Sequence, residues 1–212
     1  MCASWRTSHK RWRASASRSS PHESRPSPSA TSRARSRCVA QTRRISTFTV
    51  RPPSGVTSRT RPGVLPPYDT ALLQREVELF SDWYVAKHLQ TAFTPVQQTV
   101  FSATSKLLID AALAQPCVYV HRDYMPRNLM LSTPNPGVLD FQDAVYGPIT
   151  YDLVSLLRDA YIQWEEAEEL EWCIGYWESA RKAGLPVRAD FAEFYRDYEW
   201  MGAQRQIKVV GI

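Results

Sequence analysis

The chain has 212 residues, enough for one ordinary domain or two small ones, and its formal charge of +5 averages two very different stretches. Residues 1–65 hold thirteen Arg, one Lys and a single acid, a formal charge of +13, whereas the remainder holds 12 basic and 20 acidic residues, a charge of −8. Four scattered cysteines without a CxxC pair argue against a disulfide framework and against a zinc site. Without an apolar run of about 18 residues or a secretory signal, the sequence predicts a soluble, cytoplasmic protein with no membrane partner.

Residues 1–65 are rich in Arg, Ser, Pro, Thr and Ala and show neither a helical nor a strand period, so we expect them to be disordered. Three functional interpretations of this segment stay open. It has the composition of an organelle transit peptide, and it has the charge of a basic arm that binds nucleic acid through phosphates. It is also what a GC-rich gene yields when it is translated in the wrong frame.

The amino-acid composition changes after Leu65, and helices are predicted from there on. Asp69 is a good N-cap for a first helix, whose apolar stripe runs from Leu72 to Tyr84. A second helix is predicted over residues 96–114, before Pro116, and a short strand over residues 118–120. The buried face predicted for that second helix consists of Val100, Ala103, Leu107 and Ala111.

Two short strands, over residues 129–131 and 138–141, are predicted to form a hairpin with a turn at residues 133–137. Three helices should follow. The first carries apolar residues at helical spacing from Leu153 to Trp164, and the second covers residues 167–183 and is closed by Gly184. The last is opened by Asp190 and Glu193 as a capping pair, and it should place Phe191, Phe194, Tyr195 and Tyr198 on one face.

The strongest chemical signal is His-Arg-Asp-Tyr-Met-Pro-Arg-Asn at residues 121–128, which matches the H-R-D-x-x-x-x-N catalytic loop of kinases. Phosphoryl transfer needs a carboxylate that orients the attacking hydroxyl and accepts its proton, the role predicted for Asp123. It also needs an oxygen ligand for Mg²⁺ close by, which Asn128 supplies. A second carboxylate must link the metal to the nucleotide phosphates, and Asp140 is predicted to do so from the following strand.

Five neighbouring residues have supporting roles in this prediction. His121 is expected to organise the loop rather than to act as a base. Arg122 and Arg127 are candidates for phosphate or substrate contacts, with an exposed salt bridge as the alternative. Asp143 is a candidate metal contact or turn cap. Asp152 is predicted to cap the helix that follows it, with bracing of the catalytic loop as a second role.

These residues resemble the aminoglycoside phosphotransferase and choline kinase-like superfamily more than the protein kinases. Gln142 stands where a protein kinase has the Gly of DFG, and residues 140–153 fit the DxxxAxxGxxxxDL arrangement of that superfamily. More narrowly, the stretches VHRDYMPRNLM, GVLDFQDAVYGPITYDLVSLLRDA and FYRDYEWMGAQRQIKVVGI resemble the bacterial anomeric kinases of N-acetylmuramate and N-acetylglucosamine.

The resemblance implies an α+β, mainly α fold over residues 66–212, the helical C-lobe of a protein-kinase-like fold with a small catalytic β-hairpin. It also implies ATP-dependent phosphorylation of the anomeric hydroxyl of an N-acetylated amino sugar, in cell-wall recycling, with ATP as substrate and Mg²⁺ as cofactor. Asp123 would be the catalytic base, and Asn128 and Asp140 the magnesium ligands. The sequence assigns neither sugar-binding residues nor an oligomeric state.

The N-terminal segment of the chain does not share that resemblance. Residues 1–65 lack the β-sheet, the phosphate-covering loop and the paired Lys of a kinase N-lobe, and relatives continue beyond residue 212. We therefore expect a fragment with impaired activity. Two alternatives remain: an aminoglycoside- or choline-type kinase that uses the acidic residues Glu165, Glu166, Glu168 and Glu169, or a non-catalytic protein that binds nucleic acid through its basic arm, although nucleic acid is not the expected partner.

Overall fold

A computed structural model of the chain describes residue 63 and residues 65–133 and 136–212. All of these residues belong to one compact unit. The predictions for the basic segment, namely disorder, a transit peptide, a nucleic-acid-binding arm or a wrong reading frame, therefore fall almost wholly outside the described residues.

The first helix, α1, spans Thr70–Leu79 and continues as a π-helical segment over Phe80–His88. Asp69 caps α1 as predicted, because its carboxylate accepts a hydrogen bond from the Leu72 backbone N–H at 2.9 Å. Within the predicted stripe, Leu73 and Val77 are buried, whereas Trp83 is exposed. The predicted helix is thus confirmed, but its second half is wound more widely than the apolar spacing indicates.

Helix α2 spans Pro95–Leu113 and begins with a capping box between Thr94 and Gln97. The face predicted to be buried is wrong, since 61% of Val100 and 59% of Leu107 is exposed. The residues of α2 that are buried are Ser105, Leu108, Ile109 and Ala112. The periodicity could not choose between these faces because α2 is apolar on both, and the buried face carries a serine that a hydrophobic pattern passes over.

Two small antiparallel sheets follow, each of two strands. Strand β1 (Cys117–Val120) confirms the predicted strand, and it pairs with β4 (Val145–Pro148), which the sequence did not predict. The segment before α1 runs beside β4, where the Tyr68 N–H donates to the Tyr146 carbonyl at 2.9 Å. A four-residue strand that contains a Gly and ends in Pro gives little sequence signal, which is why β4 was missed.

The predicted hairpin is confirmed, although it is shorter than expected. Strand β2 (Leu129–Met130) pairs with β3 (Gly137–Val138), and two residues of its turn lie outside the described part of the chain. Asp140 consequently lies beyond the end of β3 and not on a strand. Its backbone has a φ of 66°, a left-handed conformation that cannot continue a strand.

Helix α3 spans only Tyr151–Leu157, so the predicted helix reaching Trp164 is wrong in its second half. Arg158 leaves the helical conformation, and its carbonyl accepts a hydrogen bond from the Gln206 side chain at 3.0 Å. One residue later, the Asp159 carboxylate accepts from the Tyr161 N–H at 2.8 Å. These local and tertiary bonds compete with the helical ones and end the helix despite its periodic sequence.

The last two helices agree with prediction. Helix α4 spans Glu166–Lys182, and Gly184, with a φ of 70°, closes it. Helix α5 spans Phe191–Val210, and the Asp190 carboxylate accepts from the backbone N–H groups of Ala192 and Glu193. The four aromatic side chains predicted on one face of α5 pack against one another in a row, with ring centroids 5.8 to 6.2 Å apart.

Helix α5 packs against α1, α2, α3 and α4 and so lies at the centre of the described region. The core includes Leu73, Ile109, Val120, Tyr151, Val154, Cys173, Phe194, Tyr198 and Met201. A mainly helical α+β architecture with a small hairpin is therefore confirmed. Within the described part of the chain, no helix combines the length and the apolarity needed to cross a bilayer.

Gly147, the Gly of the DxxxAxxG pattern, is expected to be intolerant of a side chain. A Cβ at this position would lie 2.8 Å from the Tyr68 Cβ and 3.2 Å from its ring, so Gly147→Ala should destabilise the fold by about 1–3 kcal/mol. Urea unfolding would measure the loss. Gly175→Ala in α4 is the matched control, because its Cβ would meet nothing within 4 Å and should stabilise by roughly 0.5–1 kcal/mol. A Gly147→Ala protein as stable as the wild type would contradict this packing.

Candidate active site

The predicted catalytic loop leaves the end of β1 and is closed by its own hydrogen bonds. The Asp123 carbonyl accepts from the Met125 N–H and from the Asn128 side-chain amide, both at 2.9 Å. A single 3₁₀ turn over Pro126–Asn128 begins with proline, whose missing N–H is not needed there. Since the amide nitrogen of Asn128 is used inside the loop, its amide oxygen is left for another partner.

Asp140 is brought close to this loop by the hairpin. The Leu139 N–H donates to the Asn128 carbonyl at 3.0 Å, which ties the residue before Asp140 to the predicted metal ligand. The Asp140 side chain is exposed, and it accepts one hydrogen bond, from the Gln142 side chain, at 2.5 Å. Asp123, Asn128 and Asp140 therefore belong to two adjoining loops that are hydrogen-bonded to each other.

The donor set formed by Asn128 and Asp140 suits Mg²⁺. Mg²⁺ prefers oxygen ligands and is usually held by one or two carboxylates together with substrate phosphates and water, rather than by a cage of protein groups. One carboxylate and one amide oxygen thus fit the ion that the sequence predicts.

Backbone strain is concentrated on the same two loops. Among the described residues, the non-glycine positions with left-handed φ are Gln90, Arg122 (74°) and Asp140 (66°). Such a conformation costs of the order of 1–3 kcal/mol per residue and persists where the surroundings enforce it, typically at functional sites. Two of the three positions belong to the predicted site. Arg122 directly precedes Asp123, and Asp140 is itself a predicted metal ligand.

His121 is buried, with 2% of its surface exposed, and its ring lies edge-on to that of Tyr124 at a centroid distance of 6.0 Å. Burial lowers the pKa of His121, although the charges of Asp123 and Asp140 and the Leu139 backbone act in the opposite direction. An enclosed imidazole that packs against Tyr124 suits the organising role predicted for His121.

Asp152 does not cap α3 as predicted. It lies inside the first turn of α3, whose N-cap is Thr150, and its carboxylate accepts from the backbone N–H of His121 at 2.7 Å and of Arg122 at 3.0 Å. The second predicted role, bracing of the catalytic loop, describes these contacts. Burial raises the pKa of Asp152 to about 7, even though the two backbone hydrogen bonds favour the charged form.

The raised pKa of Asp152 predicts a specific pH dependence of stability. The folded protein binds this proton more tightly than the unfolded chain does, so the contribution of Asp152 to the free energy of unfolding should fall as pH rises from about 4 to about 7. Asp152→Asn cannot ionise. The free energy of unfolding of the wild type relative to that of Asp152→Asn should therefore drop by a few kcal/mol between pH 4.5 and 7.5. Parallel curves in urea unfolding would contradict this prediction.

The two arginines of the loop contact other parts of the protein, and the phosphate or substrate contacts predicted for them stay a prediction. The Arg122 guanidinium forms a largely buried ion pair with Glu76, at 2.7 Å, and its other terminal nitrogen lies 3.5 Å from the Asp143 carbonyl. Arg127 lies over the Tyr161 ring, and its Nε is 2.9 Å from the Met125 sulfur. Neither of these contacts is the predicted exposed salt bridge. The Asp143 side chain is exposed, and its role stays a prediction.

The acidic group at the start of α4 is not simply a solvated face. Glu169 accepts hydrogen bonds from the Arg158 Nε and from the Tyr198 hydroxyl, both at 2.7 Å, so it forms part of the packing between α4 and α5. Arg158 also pairs with Glu199 of α5. At least one of the four acids proposed to attract a cationic substrate is therefore engaged within the protein.

Glu76 is the residue of this region that the sequence did not single out. It lies on the buried face of α1, between Leu73 and Val77, with only 4% of its surface exposed. A carboxylate on an apolar helix face is almost always paired, and that placement was the only signal available. Its partner, Arg122, lies 46 positions away in sequence, a separation over which no local pattern operates.

Comparison with known proteins assigns the chain to a protein family. The model of the phosphotransferase enzyme family matches residues 20–193, most of the chain, and the chain belongs to that family. The match starts inside the basic segment, of which residues 1–62 are not described, so the predicted boundary at residue 65 stays a prediction.

Individual relatives narrow the similarity further. The chain is 59% identical over 148 residues to an N-acetylmuramate/N-acetylglucosamine kinase of Pseudomonas putida, a match that covers 70% of this chain and 44% of that protein. A protein of the same name from Neisseria meningitidis is 59% identical over 152 residues, or 72% and 46% of the two chains. One from Pseudomonas aeruginosa is 51% identical over 150 residues, or 71% and 44%. The chain thus spans about half the length of these curated relatives.

Proposed function

We propose that the two adjoining loops are the catalytic and metal-binding half of an ATP-dependent phosphotransferase site whose acceptor is the anomeric hydroxyl of an N-acetylated amino sugar. The observation that carries this proposal is the single hydrogen-bonded unit that holds the site together. The Asn128 side chain is fixed to the Asp123 carbonyl, and the Asn128 carbonyl is fixed to the residue before Asp140.

In the proposed reaction, the acceptor oxygen attacks the γ-phosphorus of ATP while the bond from that phosphorus to ADP breaks. The Asp123 carboxylate orients the hydroxyl and accepts its proton. The Asn128 amide oxygen and the Asp140 carboxylate would hold Mg²⁺, which neutralises charge on the phosphates when it is bound. The fixed geometry of the loops matters most, because positioning supplies much of the catalysis in phosphoryl transfer.

The choice of substrate is supported by the relatives, all three of which carry the name N-acetylmuramate/N-acetylglucosamine kinase. The competing aminoglycoside or choline type would need an acidic site for a cation. No contact in the described region favours that alternative, and Glu169 is already paired with Arg158. An N-acetylated amino sugar, which carries no positive charge, is therefore the better supported acceptor.

The experiment compares acceptors in two proteins. One is the full 212-residue chain, and the other is a chimera in which the matching stretch of this chain replaces that of the Pseudomonas putida relative, to which it is 59% identical. ADP release would be followed with Mg²⁺, ATP and either N-acetylmuramate, N-acetylglucosamine, kanamycin or choline. We expect turnover with the two sugars in the chimera, and slower turnover in the chain alone if it lacks a nucleotide-covering lobe.

Turnover of kanamycin or choline in preference to the sugars would contradict the proposed substrate and leave the phosphotransferase chemistry standing. A chimera that folds but releases ADP with none of the acceptors would contradict both.

A further inference from the structure

The Glu76 carboxylate is a buried junction of four segments of the chain. One oxygen accepts from the Arg122 guanidinium at 2.7 Å and from the Lys208 ammonium at 2.8 Å. The other accepts from the Tyr68 hydroxyl and lies 3.4 Å from the Gln204 side-chain nitrogen. One anion thus joins the segment before α1, helix α1, the catalytic loop and the last two turns of α5.

The charges at this junction are matched so that the carboxylate stays ionised. Burial acts to raise the pKa of Glu76, but the positive charge of Lys208 and the hydrogen bonds from Lys208, Tyr68 and Arg122 outweigh it, and the net shift is downward. Lys208 also donates to the Tyr151 hydroxyl at 3.0 Å. Within the described part of the chain, the negative charge of Glu76 is therefore what pairs the two largely buried cations Arg122 and Lys208.

Arg122 links the Glu76 carboxylate to the candidate active site. It directly precedes Asp123, its backbone is in the left-handed conformation, and its N–H is fixed by Asp152. Its side chain pairs with Glu76, and its second terminal nitrogen lies 3.5 Å from the carbonyl of Asp143 in the Asp140 loop. The conformation of the residue beside the proposed base is thus enforced from both the main-chain and the side-chain ends.

We infer that Glu76 is a positioning residue for phosphoryl transfer, acting through the Arg122 guanidinium to hold the Asp123 loop and the Asp140 loop in one relative position. This inference rests on the proposed function. Glu76 touches neither reactants nor metal in this scheme. Because Lys208 shares the same carboxylate, the end of α5 becomes part of the support of the catalytic loop.

The test replaces Glu76 with Gln, which keeps the shape of the side chain and removes its charge. Glu169→Gln is the matched control, since Glu169 is also partly buried and pairs with an arginine and a tyrosine, but it touches neither loop. Amide hydrogen exchange in the full chain would compare the His121 and Arg122 N–H groups with the amides of α2. We expect at least 10-fold faster exchange at these two loop positions relative to α2 in Glu76→Gln, and no such change in Glu169→Gln.

Activity supplies the second readout. In Glu76→Gln, kcat should fall at least 10-fold while the KM values for ATP and sugar change less than about threefold, because misplacement of the base weakens the transition state rather than binding. Glu169→Gln should keep the wild-type kcat per folded molecule. If Glu76→Gln does not fold, Arg122→Met must reproduce the faster loop exchange.

Loop exchange that stays unchanged relative to α2 in the folded variant would overturn the inference, whatever the activity. A different outcome is that Glu76→Gln shows faster loop exchange while neither the wild-type chain nor the chimera phosphorylates any acceptor. That result would contradict the proposed function, but the inference that Glu76 holds the two loops in position would stand.

Discussion

Replacing Asp123 with Asn is expected to lower kcat for phosphoryl transfer by about 10²- to 10⁴-fold, the range typical of a lost general base. Asn can still orient a hydroxyl but cannot accept its proton. The fold should be nearly unaffected, because it is the Asp123 carbonyl, and not its carboxylate, that accepts the loop hydrogen bonds from Met125 and Asn128. Steady-state kinetics on the chimera would measure the effect, with KM for ATP close to that of the wild type.

The control for this variant is Asp110→Asn, which also removes one carboxylate but on the exposed side of α2, where Asp110 pairs with Lys106 one turn away. It should leave kcat within about twofold of the wild type, because an exposed i, i+4 pair contributes little. An Asp123→Asn protein with more than a tenth of wild-type kcat would show that another group accepts the proton.

Replacing Asp140 with Asn should produce a loss of similar size but of a different kind. Charge stabilisation by a bound metal is worth several kcal/mol, so removal of the carboxylate ligand proposed for it should lower kcat/KM by about 10²- to 10³-fold. The loss should shrink as the Mg²⁺ concentration is raised, because weaker binding is offset by mass action. Initial rates measured over a range of Mg²⁺ concentrations would give the apparent metal affinity.

The dependence of activity on the Mg²⁺ concentration distinguishes the role proposed for Asp140 from that proposed for Asp123. Raising the Mg²⁺ concentration should partly restore Asp140→Asn and should not restore Asp123→Asn, since the latter lacks the proton acceptor and not the metal. If both variants respond equally to Mg²⁺, or if Asp140→Asn has the same Mg²⁺ requirement as the wild type, the roles assigned to the two residues are wrong.

The elements that local chemistry determines were predictable from the sequence. The Asp69 and Asp190 caps, the Gly184 helix end and the β2–β3 hairpin each depend on residues within a few positions of one another, and the structure confirms all four. The H-R-D-x-x-x-x-N spacing also has a local physical basis, since the Asn128 side chain closes back onto the Asp123 carbonyl five residues earlier.

The predictions that were wrong or missed depend largely on tertiary contacts. Helix α3 stops at Leu157 in part because α5 supplies a hydrogen bond to the Arg158 carbonyl, and no pattern within residues 153–164 contains that tertiary contact. The Asp152 carboxylate, in α3, braces main-chain groups of the catalytic loop 30 and 31 positions earlier instead of capping its own helix. Glu76 was missed for the same reason, because its partners are 46 and 132 positions away.

The most direct test of the central claim is whether the γ-phosphoryl group of ATP reaches the anomeric oxygen of N-acetylmuramate. Phosphorus–proton correlation NMR on the product of the chimera would show whether the phosphorus couples to the anomeric proton. We expect a single sugar 1-phosphate whose formation requires Mg²⁺ and is lost in Asp123→Asn. Phosphorylation at another hydroxyl would contradict the proposed acceptor, and equal product from Asp123→Asn would contradict the assignment of the catalytic loop.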